Sequence, residues 1–265
     1  MKPLSALTDE AATRIRGVFL DIDDTLTSDG RLTAEAYGAM ESLHRSGLMV
    51  VPVTGRPAGW CDHIARMWPA DAVVGENGAF YFRYDHGHRR MQRRYWHDDA
   101  QRKENRCRLS DLQAEILARV PGSAVSADQA YREADLAIDY CEDVLPLSEE
   151  EIRRIVDLFE GAGARAKVSS IHVNGWFGDY DKLSMTRVMM RECFLVDLDD
   201  AREHFVFIGD SPNDAPMFSY FPFSIGVANV ARFGDGLRDK PAFVTDAPSG
   251  AGFAEAATRL VAARS

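Results

Sequence analysis

No stretch of the 265 residues is apolar long enough to span a bilayer, for which about 20 consecutive apolar positions are needed. The N-terminus, Met1 to Leu7, runs into Asp9 and Glu10 before any apolar core of signal length has formed, so no secretion signal is expected. Cysteine is scarce. Cys61, Cys107, Cys141 and Cys193 lie far apart without a Cys-x-x-Cys pair, which argues against a disulfide framework or a thiolate zinc site. They read as buried thiols of a protein kept in a reducing cytoplasm. Positive charge is in deficit: the formal net charge of −10 argues against nucleic acid as the main partner, because a phosphate backbone demands a basic face. There is no internal repeat and no low-complexity segment. What remains, 46% hydrophobic and 27% charged, is the composition of an ordinary globular chain of one large or two modest domains. Monomer or homodimer is the expected state.

Against that background one string stands out. The apolar run Ile15 to Leu20 is followed directly by Asp21-Ile22-Asp23-Asp24-Thr25. A strand ending in Asp-x-Asp-x-Thr sets two carboxylates at its carboxyl end, where active sites of open α/β sheets lie. Acids at i and i+2 permit a division of labour, one charged and held by a metal, the other free to carry a proton. A calcium loop would place Asp21, Asp23 and Thr25 at its first, third and fifth positions, but it needs Gly at the sixth and Glu at the twelfth. Leu26 and Leu32 occupy those positions, and the calcium reading fails.

Two further strings share this placement, and a lysine joins them. Phe205 to Ile208 ends in Gly209-Asp210-Ser211-Pro212-Asn213-Asp214, and Val50 to Val53 ends in Thr54-Gly55-Arg56-Pro57. Lys182 stands at a predicted helix start. In order, Asp21/Asp23, Thr54, Lys182 and Asp210/Asn213/Asp214 resemble the four motifs of the haloacid dehalogenase superfamily of phosphohydrolases. One such motif is weak; four in order, each after the right predicted element, are specific.

Strands and helices alternate early. Val18–Asp21, Leu48–Val53 and Ala72–Val74 are predicted strands, and Thr33–Arg45 and Pro57–Met67 predicted helices. Phe80–Tyr84 should continue the sheet as a hairpin. This alternation is that of a parallel sheet with helices on both faces. The middle differs: a polar helix over Asp99–Val120, a strand over Leu136–Cys141, a helix over Ser148–Gly161 opened by a Ser148/Glu151 capping box, and adjacent strands over Ala164–Ser169 and Ser170–Gly175. Alternation returns with helices Leu183–Phe194, Pro212–Tyr220 and Gly250–Ala263 and strands Phe205–Ile208, Phe223–Val227 and Ala242–Val244. The fold class is therefore α/β: a Rossmann-like core, residues 1–84 and 181–265, split by an α+β insert, residues 85–180. An insert at that point resembles the superfamily's class II caps, in the B subtype that includes many sugar-phosphate phosphatases.

The resemblance implies roles residue by residue. Asp21 is the expected nucleophile, forming an aspartyl-phosphate, and Asp23 the general acid–base. Thr54, Gly55 and Lys182 are expected around the phosphoryl oxygens; Lys182 is followed by Leu183 where the family often has Gly. Mg2+ is the implied cofactor, with Asp21, the Asp23 backbone carbonyl and Asp210 as ligands, and Asp214 and Asn213 touching the ion or only supporting its shell. Asp24 faces solvent or caps a turn, and Thr25 orders the loop. Arg56 is open between a structural salt bridge and a substrate contact. Glu76-Asn77-Gly78 suits equally a tight turn and a pocket wall. His172, Asn174 and Trp176 alternate along one strand and share a face that would meet a sugar if it looked down on the core. The basic run His88 to Arg94 reads as a solvated edge of the insert, or as electrostatic guidance for an anionic substrate.

The activity so implied is Mg2+-dependent hydrolysis of a small phosphorylated metabolite, most plausibly a sugar phosphate, with the sucrose-phosphate, trehalose-phosphate and mannosyl-3-phosphoglycerate types open. A sugar phosphomutase shares the cap type and the first motif and is the nearest alternative. A non-catalytic sensor would be expected to have lost a carboxylate or the lysine. Dehalogenation needs neither the second aspartate nor magnesium.

Overall fold

A computed structural model describes residues 1–169 and 171–264, apart from the side chain of Asp235. Six strands form one parallel sheet in the order Lys2–Pro3, Phe243–Val244, Ile225–Gly226, Phe205–Gly209, Gly17–Leu20 and Met49–Pro52. Its strands are apolar on both faces because both are covered. Val18, Leu20, Val50, Val206 and Ile208 pack against helices Ala34–Arg45 and Ser249–Ala262. Phe19, Val51, Phe205 and Phe207 pack on the other side with Met185, Met189 and Met190 of helix Lys182–Phe194. Each fully buried Leu, Val or Phe contributes about 1.5–3 kcal/mol.

The register decides where the chemistry goes. Leu20 lies beside Ile208 on one neighbour and Pro52 on the other. The three chains therefore leave the sheet together, and Asp21, Thr54 and Asp210 emerge side by side.

The insert forms its own antiparallel sheet, ordered Arg165–Val168, His172–Trp176, Asp135–Asp139 and Ala124–Val125. Ser170, part of the second expected strand of that pair, lies outside the described residues. Helices Asp99–Arg119 and Glu149–Gly161 cover one face, burying Leu112, Ile116, Ile155 and Phe159 against Leu136, Ile138 and Val173. The expected capping box is present: Ser148 Oγ accepts from Glu151 N, and the Glu151 carboxylate accepts from Ser148 N. Two-residue alternation then sends Asp135, Asp139, His172, Asn174 and Trp176 to the other face of the sheet.

Several elements differ from expectation. The basic run lies mostly in a strand, Arg90–Tyr95, antiparallel to Phe80–Asp85, which pairs in turn with Val73–Gly75. It thus extends the core side, and its backbone pairs where its charges alone suggested only a solvated edge. The long side chains make this possible: the Arg93 guanidinium lies 5.4 Å from the Phe82 ring centroid and 2.7 Å from Asp62. Charges on an edge strand also discourage further strand addition. The N-terminus adds strand Lys2–Pro3 and helix Asp9–Arg14, capped by Thr8. Among the described residues no helix is long and apolar enough to cross a membrane.

Candidate active site

At the carboxyl ends of the central strands a buried charge cluster is assembled from three segments. Lys182 Nζ lies 3.0 Å from Asp21 Oδ2 and 2.7 Å from Asp214 Oδ1. Asp21, Asp210 and Asp214 each offer a carboxylate oxygen within 4.8 Å of the others. All four side chains are buried.

Local sequence explains how each arrives. Asp181 caps the Lys182–Phe194 helix, its carboxylate accepting from Ser184 N at 2.8 Å, so Lys182 is the first helical residue. That helix start presses against Gly78, where a Cβ would stand 2.1 Å from the Asp181 carbonyl oxygen and φ is +106°. Only glycine allows this approach. Asp214 turns back over its own loop: Oδ2 accepts from Asp210 N at 3.1 Å while Oδ1 meets Lys182. A Cβ on Gly209 would lie 2.4 Å from Asp214 Oδ2, so the glycine admits that turn. Both Asp214 oxygens are thus engaged within the protein. The residue supports the lysine and the loop.

Burial dominates the electrostatics. It pushes the Asp21 carboxyl up to about 7, with Asp214 and Asp23 adding to the effect and Lys182 opposing it. Burial likewise raises Asp210 to about 8, helped by Asp214, Asp21 and Asp24. For Lys182 burial works against the charge, yet Asp21 and Asp214 outweigh it and hold the ammonium above the ordinary lysine value. Crowded, desolvated carboxylates of this kind are what a bound cation relieves. The donors are all hard oxygens, which suits Mg2+. Asp21 and Asp210, with Asp214 beside them, are the groups that fit such an ion.

Asp210 is held from three sides. Thr25 Oγ1 donates to Oδ1 at 3.2 Å, and Asn229 Nδ2 and Arg232 Nη2 each reach Oδ2 at 3.2 Å. Asn213 turns inward on its loop, accepting from Ser211 Oγ at 2.7 Å, and lines the cavity. Asp24 is half-buried with φ of 56°, 3.4 Å from Arg232. Thr54 is fully buried; its Oγ1 accepts from Arg56 N at 3.0 Å, which fixes the hydroxyl at the end of its strand.

Asp23 is paired with Arg56. Its carboxylate takes a fork from Arg56, with Nε at 2.9 Å and Nη2 at 2.7 Å from Oδ1. The same guanidinium stands 3.6 Å from Asp128 and 3.8 Å from Glu142 of the insert, and lies over Trp60. Arg56 therefore makes the salt bridge left open by the sequence, with the Asp-x-Asp acid as its partner.

Glu76 is a clasp. Fully buried, its carboxylate accepts from the backbone N–H of Ala58 at 2.9 Å, Glu133 at 2.9 Å, Ala134 at 2.6 Å and Asp135 at 3.2 Å. Burial and Asp135 still push it up to about 8 against Arg132 and those donors. Glu76 and Asn77 are both left-handed, with φ of 43° and 55°, a conformation costly outside glycine. The bonds made by the carboxylate offset that cost. Reciprocally, Arg132 of the insert donates to Gly55 O at 3.0 Å while gripping Asp128 and Asp135. Asn77, whose N–H donates to Thr54 O at 3.0 Å, lines the cavity.

His172 and Asn174 also line that cavity, but Trp176 does not. The three share a strand face as predicted, yet the end of the strand has passed beyond the site. Trp176 stacks on Tyr180 with centroids 5.7 Å apart and joins the cluster containing Phe80 and Phe82. It is packed in the core and so is not placed to touch a sugar. His172 Nε2 stands 2.8 Å from Glu142, and Asn174 Nδ2 donates to Asp135 at 2.9 Å. None of the basic run lines this cavity.

Arg132, Asp128, Asp135 and Glu142 were not read from the sequence, since isolated charges in a polar insert carry no motif spacing. Asn229 had a signal: it follows closely on strand Ile225–Gly226, at the same carboxyl edge as the other motifs.

Comparison with known proteins agrees with this geometry. Residues 18–106 match the model of haloacid dehalogenase-like hydrolases. No protein of curated function matches the chain in sequence. In structure it is similar to a Thermoplasma acidophilum protein at 19% identity, with TM-score 0.71 over 93% of this chain and 98% of the other. It is similar to the trehalose-6-phosphate phosphatase C-terminal domain of C. albicans at 12% identity, TM-score 0.68, over 99% and 98%. The sucrose-phosphatase of Synechocystis sp., solved with sucrose and phosphate, aligns at 14% identity and TM-score 0.63 over 93% and 98%. Residues 18–106 thus carry the sequence pattern of haloacid dehalogenase-like hydrolases, and the chain shares its fold with these solved structures over more than 90% of its length.

Proposed function

We propose that the protein is a Mg2+-dependent phosphatase acting on a small phosphorylated metabolite of the sugar-phosphate kind, through a phosphoryl group carried on Asp21. The observation behind this reading is the buried Lys182 bridging Asp21 and Asp214 with Asp210 alongside. A carboxylate is a weak nucleophile toward an anionic phosphate unless nearby positive charge neutralises the phosphoryl oxygens. Lys182 supplies one charge, and Thr54 a hydroxyl donor at the adjacent strand end. Bound Mg2+, held by Asp21, Asp210 and the Asp23 carbonyl, would supply further charge neutralisation and orientation.

An Asp21 oxygen attacks phosphorus as the ester P–O bond breaks, and Asp23 hands its proton to the departing oxygen. Asp23 then removes a proton from water, which attacks the same phosphorus and frees Asp21 and inorganic phosphate. Since Asp23 is gripped by Arg56, it must loosen that fork to reach the leaving oxygen. The phosphatases among the structural neighbours support the reaction class, and those named for sugar phosphates support the substrate class.

The test is phosphate release from a panel of sugar phosphates with Mg2+ and with EDTA. Release that needs the metal supports the reading; none from any member, nitrophenyl phosphate included, removes it.

A further inference from the structure

The cavity over Asp21 is lined by Arg56, Arg132, His172 and Asn174, yet these groups already have partners. Arg56 holds Asp23, and Arg132 holds Asp128, Asp135 and the Gly55 carbonyl. His172 sits on Glu142, and Asn174 on Asp135. The cavity itself encloses only 30 Å³, room for about two waters. Neither its volume nor its inner wall is arranged to read a leaving group.

A second space adjoins it. A cleft of 540 Å³ shares Lys167, Ser169, Ile171, Ser211 and Asn213 with the catalytic cavity as lining residues, so the two lie side by side. It is lined as well by Tyr140, Val156, Arg232 and Phe233. Its charged groups are Asp24, Arg232 and Lys167. The first two stand 3.4 Å apart, and Arg232 also reaches Asp210. Lys167, exposed on strand Arg165–Val168 and lining both spaces, has no acidic partner among the described residues. An unneutralised ammonium at that place is notable in a chain of net charge −10.

Resting on the phosphatase reading above, we propose that the leaving group extends into this cleft and carries a second anionic group, a carboxylate or a second phosphate, that is bound by Lys167. The substrate is thus a phosphomonoester of an acidic alcohol. The apolar wall of Val156, Ile171 and Phe233 accommodates its carbon skeleton, and Lys167 supplies the attraction that the acidic surface elsewhere lacks.

Matched pairs test this: 3-phosphoglycerate and fructose 1,6-bisphosphate against glycerol 3-phosphate and fructose 6-phosphate, with Mg2+, on wild type, Lys167→Gln and Lys167→Arg. The expected result is a kcat/KM at least tenfold higher for an anionic member than for its neutral partner. Lys167→Gln should abolish that ratio chiefly through KM, and Lys167→Arg should restore most of it. The carboxylate and bisphosphate arms tell which anion is read. Equal rates within both pairs, or a ratio unchanged in Lys167→Gln, would overturn the proposal while leaving the phosphatase reading intact. Absence of phosphate release from every substrate would instead overturn the reading on which it rests.

Discussion

Arg56 clasps the carboxylate of Asp23 with two nitrogens, at 2.9 and 2.7 Å, from a side chain that is itself buried. On the proposed mechanism that fork positions the proton-carrying acid until substrate draws it to the leaving oxygen, and it also faces Asp128 and Glu142 of the insert. Arg56→Ala should leave Asp23 free to wander and lower kcat on a sugar phosphate about 10- to 100-fold, with KM changed less. Arg56→Lys should recover little, because an ammonium cannot reproduce the bidentate geometry. Steady-state kinetics decide it; a pure KM effect would make Arg56 a substrate contact.

Glu76 ties the insert to the core by accepting from four backbone N–H groups. Glu76→Gln replaces one acceptor oxygen with an NH2 that faces donors, so at least one buried N–H loses its partner. The cost should be on the order of 2–4 kcal/mol, seen as a lower Tm and a lower denaturation midpoint. A Tm within a degree of wild type would show that the clasp contributes nothing.

Asp21 and Asp210 should make Mg2+ binding depend on pH. Their folded values, about 7 and about 8, lie above the ordinary 3.8. In the metal-free protein the native state therefore holds protons that the unfolded chain releases, and stability from these groups is present at low pH and lost as pH rises from about 4 to 8. Mg2+ needs both carboxylates ionised, so its affinity should rise between pH 6 and pH 8. Thermal denaturation with and without Mg2+ reads this directly: the metal-induced rise in Tm should be larger at pH 8 than at pH 6. An equal or smaller rise at pH 8 contradicts the assignment.

Much of this architecture was legible in the sequence, for a physical reason. Buried parallel strands are written as continuous apolar runs, and polar residues at their carboxyl ends have few structural reasons to be there. Asp21, Thr54 and Asp210 were placed that way and emerge side by side in the sheet. What could not be read depended on contacts between distant segments. Alternation put His172, Asn174 and Trp176 on one face, but nothing local says that the face passes from cavity to core between Asn174 and Trp176. Glu76 looked like part of a turn because its four partners lie 18 and 57–59 residues away. The Arg90–Tyr95 strand was hidden because its charges obscure the pattern while its backbone pairs with Phe80–Asp85.

The account rests on Asp21 as the group that accepts the phosphoryl, and the most direct measurement is the turnover of Asp21→Asn. The variant keeps the shape of the side chain and can still accept from Ile22 N, as Asp21 Oδ1 does at 2.8 Å, so it should fold. Removal of a chemical role held by one residue should lower kcat by at least about three orders of magnitude in the presence of Mg2+, with an unchanged circular dichroism spectrum. A folded Asp21→Asn protein that keeps more than about a tenth of the wild-type rate would contradict the covalent mechanism, since a loss of a single tenfold step is only about 1.4 kcal/mol of transition-state stabilisation.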